Sequence, residues 1–243
     1  MMFLITWLLH TLFATSGLGG GIILVPTYVS LGIALPIAVT SGLVMNIISL
    51  SLVTGHNYRH RIVRWNLGTV FLVPAIAMTP LGEMATSIIP RSYVLVIFIA
   101  LLVYAFYHVI LKRSEKHREK IVGKITIILA VPIGLIAGFL SGLSGIGGGL
   151  IILPALTFME DDYRKIAGTT GYVALFISIS SFIFHIGYVP DIPIFLWTIV
   201  ISGSALGGVS ASYFLHILGS RKISIFTSAV ILILIGILIH SLI

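Results

Sequence analysis

The sequence predicts an all-α integral membrane protein made of two inverted repeats of about four helical segments each. The first segment of each repeat is expected to be broken or re-entrant at a glycine-rich turn. Three observations carry this: apolar residues laid out in membrane-length runs, a motif that occurs twice, and a lopsided distribution of positive charge. Of the 243 residues, 58% are hydrophobic and 9% charged, and the mean hydropathy is +1.17, whereas a soluble domain carries about 25% charged residues. Uncharged runs occupy 1–58, 65–82, 92–111, 125–159, 166–190, 192–220 and 223–243. A crossing helix needs about 20 apolar residues, and the strands of a barrel would alternate polar and apolar positions. These runs are continuously apolar and the first is long enough for two elements, which makes eight membrane segments.

The first segment, MMFLITWLLHTLFATSG, has a small-residue stretch at Ala14-Thr15-Ser16 like that of a cleaved leader. It lacks a basic start and its glycine motif returns in mid-chain, so it reads as retained structure. That motif is SGLGGGIILVP at 16–26; it aligns with SGIGGGLIILP at 144–154, with seven of eleven positions identical. Glycine in a helix is about 1 kcal/mol less favourable than alanine, so each copy marks a break. In the second segments AVTSGLV at 38–44 lies over AGTTGYV at 167–173, and the same spacing sets His56 over His185. The third segments, about 66–85 and 193–217, give no convincing register. Near the start of the fourth, Arg91 falls over Arg221, and both read as interfacial anchors. Between the halves, KRSEKHREK at 112–120 is too short to fold alone. The chain divides into a first transmembrane repeat (1–111), a basic linker (112–124) and a second transmembrane repeat (125–243).

Charge decides between two topologies. If all eight segments cross, nine Lys and Arg residues share one side against five on the other. If the first and fifth segments turn back, the loops at 57–65, 112–124, 158–165 and 218–222 share a side. They then hold 13 of the 14 Lys and Arg residues, leaving Arg91 alone opposite. The positive-inside rule favours the second arrangement. It puts the linker in the cytoplasm and both termini outside a plasma membrane. Length agrees: the 35 uncharged residues from Ile125 to Met159 would make a helix of roughly 52 Å. That is too long for one crossing and short of two, but it suits two half-depth arms.

Inverted repeats with broken helices are a transporter signature, with the substrate at the midplane between the breaks. A helix that starts just after three glycines presents unpaired N–H groups and about half a positive charge. Glycine lets a ligand approach them closely, and such ends bind anions. The candidate substrate residues are Ser16, Gly17, Gly19, Gly20 and Gly21 with Thr40, Ser41 and Asn46 in the first repeat. In the second they are Ser144, Gly145, Gly147, Gly148 and Gly149 with Thr169 and Thr170. Ser16 and Ser144, at the entry to each turn, are expected to cap the following helix or to donate to substrate.

The paired motifs Gly17–Pro26 and Gly145–Pro154, and the four-element unit repeated across a short basic linker, resemble the sulfite exporter TauE/SafE family. The resemblance covers essentially the whole chain. It implies a multi-pass carrier that moves sulfur-containing anions such as sulfite or organosulfonates, usually outward.

Two rival functions remain at this level. One is a passive anion channel of the same architecture. The other is an intramembrane serine protease, because Gly142-Leu143-Ser144-Gly145 matches a GxSG pattern and His185 can supply a base. The twin of Ser144 in Ser16 weighs against a single nucleophile, and the chain is expected not to be an enzyme. No βαβ unit or P-loop lysine follows the glycines, so no nucleotide or other cofactor is expected. The net charge of +7 follows from topology and implies no nucleic-acid partner. The absence of cysteine excludes thiolate metal sites, and the eight histidines are scattered with no HExxH or similar spacing. No metal is expected.

The implied partners are therefore a small anion, the lipid bilayer and, as coupling ion, protons. His56 and His185 are the candidates for proton coupling because the duplication pairs them and histidine titrates near neutral pH. Glu83 is a third, because an ionisable group inside a membrane segment is a functional candidate by default. Asp191 flanks a segment. His10, His108, His216 and His240 have no repeat partner and read as ordinary membrane or interfacial residues.

Overall fold

A computed structural model describes residues 2–85, 96, 99–100, 103–104, 106–107, 124–145, 147–186 and 192–240. Arg91, Asp191, His108 and the linker up to residue 123 lie outside them. Nine helices are laid out among the described residues: α1 (Met2–Thr15), α2 (Gly21–Ser30), α3 (Leu35–Arg59), α4 (Trp65–Ala85), α5 (Lys124–Ser144), α6 (Gly149–Leu156), α7 (Tyr163–His185), α8 (Ile194–Ile217) and α9 (Ser220–His240). No strand occurs among these residues, and α5 begins at Lys124, one residue inside the stretch assigned to the linker. Five helices are long and apolar enough to cross a membrane: Pro36–Arg59, Trp65–Ala85, Tyr163–His185, Ile194–Ile217 and Ser220–Ile237. Local signals fix several starts. Pro36 stands in the first turn of α3, where its missing N–H is harmless. The Asp162 side chain caps α7 by accepting from the Arg164 N–H at 3.0 Å.

The first segment of each half is broken where the glycines stand, and each turns back on itself. Gly17 and Gly19 both have φ +77°, and Gly145 and Gly147 have φ +66° and +79°, a region that glycine enters without penalty. The Tyr28 hydroxyl on α2 lies 2.9 Å from the Thr6 hydroxyl on α1. A continuous helix would hold these residues roughly 33 Å apart. In the second half a Cβ on Gly148 would lie 3.5 Å from the Cβ of Ala137, against roughly 16 Å along a straight helix.

The two halves pack alike. Helix α4 runs along α5 as α8 runs along α1, α3 packs on α8 as α7 packs on α4, and α3 meets α7 at the centre. Small residues make these contacts possible. Gly134, Gly138 and Gly142 of α5 sit against the backbone of Phe71, Ala75 and Thr79 of α4. Gly203 and Gly207 of α8 sit against Thr6 and His10 of α1. Thr6 and His10 stand 128 residues before Gly134 and Gly138, so Phe71 corresponds to Gly203 and Ala75 to Gly207. Packing thus supplies the register of the third segments that the sequence withheld.

One end of the bundle gathers three loops. The Arg64 guanidinium holds the Glu160 carboxylate at 2.7 Å, the Arg64 N–H donates to the Thr169 hydroxyl at 3.0 Å, and the Tyr163 N–H donates to the Ser220 hydroxyl at 2.8 Å. Tyr58 and Trp65 pack edge to face there, with ring centroids 5.6 Å apart, as aromatic residues do at membrane interfaces. At the opposite end the close of α4 meets the close of α7. If all eight segments crossed, the loops around Arg64 and Glu160 would lie at opposite ends; they touch.

Candidate functional site

The two glycine hairpins meet each other, and each tip reaches the helix that follows the other hairpin. A Cβ on Gly17 would overlap the Ala167 carbonyl oxygen in the first turns of α7, while one on Gly145 would strike Val39 in the first turns of α3. Between these tips the backbones meet. A Cβ on Gly149 would come within 3.1 Å of the Leu18 carbonyl oxygen and 3.2 Å of that of Gly17.

Asn46, in the middle of α3, stands where both turns converge. Its Oδ1 accepts from the Gly21 N–H at 2.9 Å. A Cβ on Gly19 would lie 2.7 Å from that oxygen, and one on Gly147 would lie 3.1 Å from Nδ2 and 2.9 Å from the Ser178 hydroxyl. Gly19, Gly20, Gly147 and Gly148 are buried, and their N–H groups donate to no group among the described residues. Gly20 and Gly148 are the N-caps of α2 and α6 and have no side chain to cap with; at the start of α2 the Asn46 side chain takes the Gly21 N–H instead. Buried N–H groups are almost always paired, so these four are exceptions to the rule.

The remaining predicted residues divide. Ser16 and Ser144 do not cap the following helices: their hydroxyls donate backwards, to the Phe13 carbonyl at 2.8 Å and the Leu140 carbonyl at 2.6 Å. A serine at the end of a helix readily donates back to a carbonyl of its own last turn. Thr40 likewise donates to Pro36, and Thr169 accepts from the Arg64 N–H. Ser41 and Thr170, equivalent in the two repeats, are buried with hydroxyls that have no partner among the described residues. A Cβ on Gly20 would meet the His10 ring at 2.7 Å and one on Gly148 the Ile177 Cδ1 at 2.6 Å. A side chain on either glycine would therefore displace a neighbouring side chain, whereas Gly19 and Gly147 turn toward Asn46 and Ser178.

Sequence reasoning passed over three residues that belong here. His10, read as an ordinary membrane residue, is fully buried beneath Gly20, with Nδ1 3.1 Å from the Ser49 hydroxyl. Its Nε2 is buried without a partner among the described residues. Ser178 is the repeat equivalent of Ser49, but the residue equivalent to His10 is Gly138, and the Ser178 hydroxyl has no partner among the described residues. The signal for Ser49 and Ser178 was present, since the spacing that pairs Thr40 with Thr169 pairs them too. His10 had no such signal.

Two of the coupling candidates meet each other. His185 Nδ1 lies 2.6 Å from Glu83 Oε1, with the side chains 14% and 12% exposed. His185 Nε2 is buried and unpartnered among the described residues. His56 has no such carboxylate among the described residues; it stands with His60 and His216 at the other end. Ser144 and His185 share no hydrogen bond among the described residues: Ser144 donates to the Leu140 carbonyl of its own helix, and Nδ1 of His185 pairs with Glu83. Arg221 is exposed in the first turn of α9, as suits an anchor.

No curated protein and no solved structure matches the chain. A family model does, and it runs through both glycine hairpins and both sets of packed helices. From residue 2 to residue 238, nearly end to end, the chain is a member of the sulfite exporter TauE/SafE family.

Proposed function

We propose that this member of a transporter family is a secondary carrier that exports a small sulfur-containing anion, sulfite or an organosulfonate, across the plasma membrane. The anion binds at the midplane between the two hairpins, and the basic end faces the cytoplasm. The observation that carries this reading is the set of four buried glycine N–H groups, on the two turns that converge at Asn46, with no partner among the described residues. Backbone donors at the starts of α2 and α6 suit a compact oxyanion, and two turns reached from opposite ends suit alternating access. Ser41, Thr170 and Ser178 add hydroxyl donors, and His10 an imidazole beside the first turn. The contact between the loops of Arg64 and Glu160 supports the inverted arrangement of the repeats. His185 and Glu83, held together near the opposite end, form the relay through which protons couple to export.

Purified protein screened with sulfite, thiosulfate, sulfoacetate, taurine and sulfate tests the site. The true substrate raises the melting temperature by several degrees, since a ligand at 100 times its dissociation constant stabilises by about 2.7 kcal/mol. Asn46→Ala should abolish that shift. A shift of wild-type size in Asn46→Ala overturns the site. Counterflow of labelled substrate in vesicles distinguishes a carrier, which exchanges, from a passive channel, which does not.

A further inference from the structure

We propose that His56, His60 and His216 form a binding site for a divalent transition-metal ion of the zinc class, at the end of the bundle where the loops gather. His56 and His60 are separated by four residues, so the last turn of α3 and its cap project both rings from one side. His216, near the end of α8, closes the group from the other half of the molecule. The ring centroids stand 4.7 Å (His56–His60), 4.4 Å (His56–His216) and 4.0 Å (His60–His216) apart. One nitrogen from each ring lies within 4.8 Å of the other two.

Three imidazoles leave the fourth corner of a tetrahedron to water, the arrangement in which zinc keeps an open position. Rotation about the side-chain torsions brings the nitrogens to the roughly 2.0–2.1 Å that zinc requires. His216 Nε2 is buried and has no partner among the described residues, so a ligating nitrogen stands free of competing bonds. His60 is exposed and His56 and His216 are half-buried in the last turns of α3 and α8, so an ion from solution reaches them. Arg59 and Arg164 bring positive charge to the same end. They oppose a cation, so the affinity belongs in the range of about 1 μM and not tighter. Because α3 belongs to the first half and α8 to the second, a bound ion ties the ends of the two halves together.

Calorimetric titration of the full-length protein in detergent with zinc chloride tests the site, with melting curves taken beside it. One zinc per chain and a rise in melting temperature are expected. Cobalt in its place should give the visible absorption of a four-coordinate site. His60→Ala changes an exposed cap residue and His216→Ala a half-buried one; each should weaken zinc binding at least about tenfold. With a chelator present, His60→Ala should melt as the wild type does, which separates lost binding from lost folding. His185→Ala, at the far end, should bind zinc normally. Wild-type affinity in His60→Ala and His216→Ala, loss of binding in His185→Ala, or no binding to the native protein at about 100 μM overturns the proposal.

Discussion

The same corner of the scaffold occurs twice in this molecule and carries different chemistry each time. Where α7 closes against α4, His185 meets Glu83 at 2.6 Å. Where α3 closes against α8, the repeat equivalent of His185, His56, meets His60 and His216. In the register set by packing, Met84 corresponds to His216, so Glu83 and His216 are one step apart on equivalent helices. The interior differs in the same way. His10 backs the first hairpin through Ser49, whereas Gly138 stands in its place behind the second and Ile177 fills the room beside Gly148. Backbone-to-backbone contacts are common to both halves; the polar side chains on them have diverged. A duplication that must close a membrane bundle keeps what packing dictates and is free to alter what faces the ligand and the two aqueous ends.

The largest effect expected from this comparison is at the hairpin tips. Gly17→Ala and Gly145→Ala both place a Cβ at positive φ, which costs about 1–2 kcal/mol. Their surroundings are unequal. The new methyl at position 17 would strike the Ala167 carbonyl oxygen, part of a packed helix backbone, while that at 145 meets only the Val39 Cγ1, the end of a side chain. Gly17→Ala should yield almost no monodisperse protein by size-exclusion chromatography. Gly145→Ala should yield folded protein with a lowered melting temperature. Equal yields would mean that the two tips are not packed as differently as the geometry requires.

The two ends give the next prediction. Glu83→Gln keeps the shape of the pair with His185 but removes its charge, so export should fall about tenfold or more and lose most of its pH dependence. His60→Ala, assayed with a chelator, should leave both rate and pH profile near wild type. Transport measured in vesicles across pH 5 to 8 reads both. A flat wild-type profile, or one altered by His60→Ala and not by Glu83→Gln, would reverse the roles assigned to the two ends.

Which of these features was legible in the sequence follows from their physics. The breaks were, because three adjacent glycines in an apolar run have few other uses, and both copies sit where the chain turns. The meeting of the loops at 57–65, 158–165 and 218–222 was, because loops that share a side share a charge, and Arg64 meets Glu160 as Tyr163 meets Ser220; the linker lies outside the described residues. The third segments were not, for a specific reason. Close helix approach needs a small residue on only one of the two partners. On the α4–α5 pair the glycines are on α5 (Gly134, Gly138, Gly142); on the α8–α1 pair they are on α8 (Gly203, Gly207). The contact is conserved between the halves while residue identity is lost. The pairing of His56 and His185 was also visible, but not its meaning, which depends on what α4 and α8 bring alongside. His60 lay four residues from His56 in plain view, yet only the approach of His216 makes that spacing chemically useful.

The smallest predicted effect concerns the loop contact, which bears most directly on topology. Partial burial pushes the Glu160 carboxyl up, but the Arg64 hydrogen bond, the Asp162 N–H and the charges of Arg64 and Lys165 outweigh it and hold the group below the usual carboxylate range. A carboxyl lowered in the folded state contributes stability above its unfolded value of about 4.3 and loses it as pH falls through the folded value. Glu160→Gln should therefore destabilise at neutral pH and approach the wild type as the solution is acidified below about pH 4. Arg64 is 48% exposed, so solvent screening keeps the contribution under about 1 kcal/mol, or at most roughly 2–4 °C in melting temperature. Melting curves at pH 7 and pH 4 read the difference. A gap that widens on acidification contradicts the sign derived for Glu160. A gap absent at both pH values separates the loops of α3–α4 and α6–α7, and with them the placement of 13 positive charges on one side of the membrane.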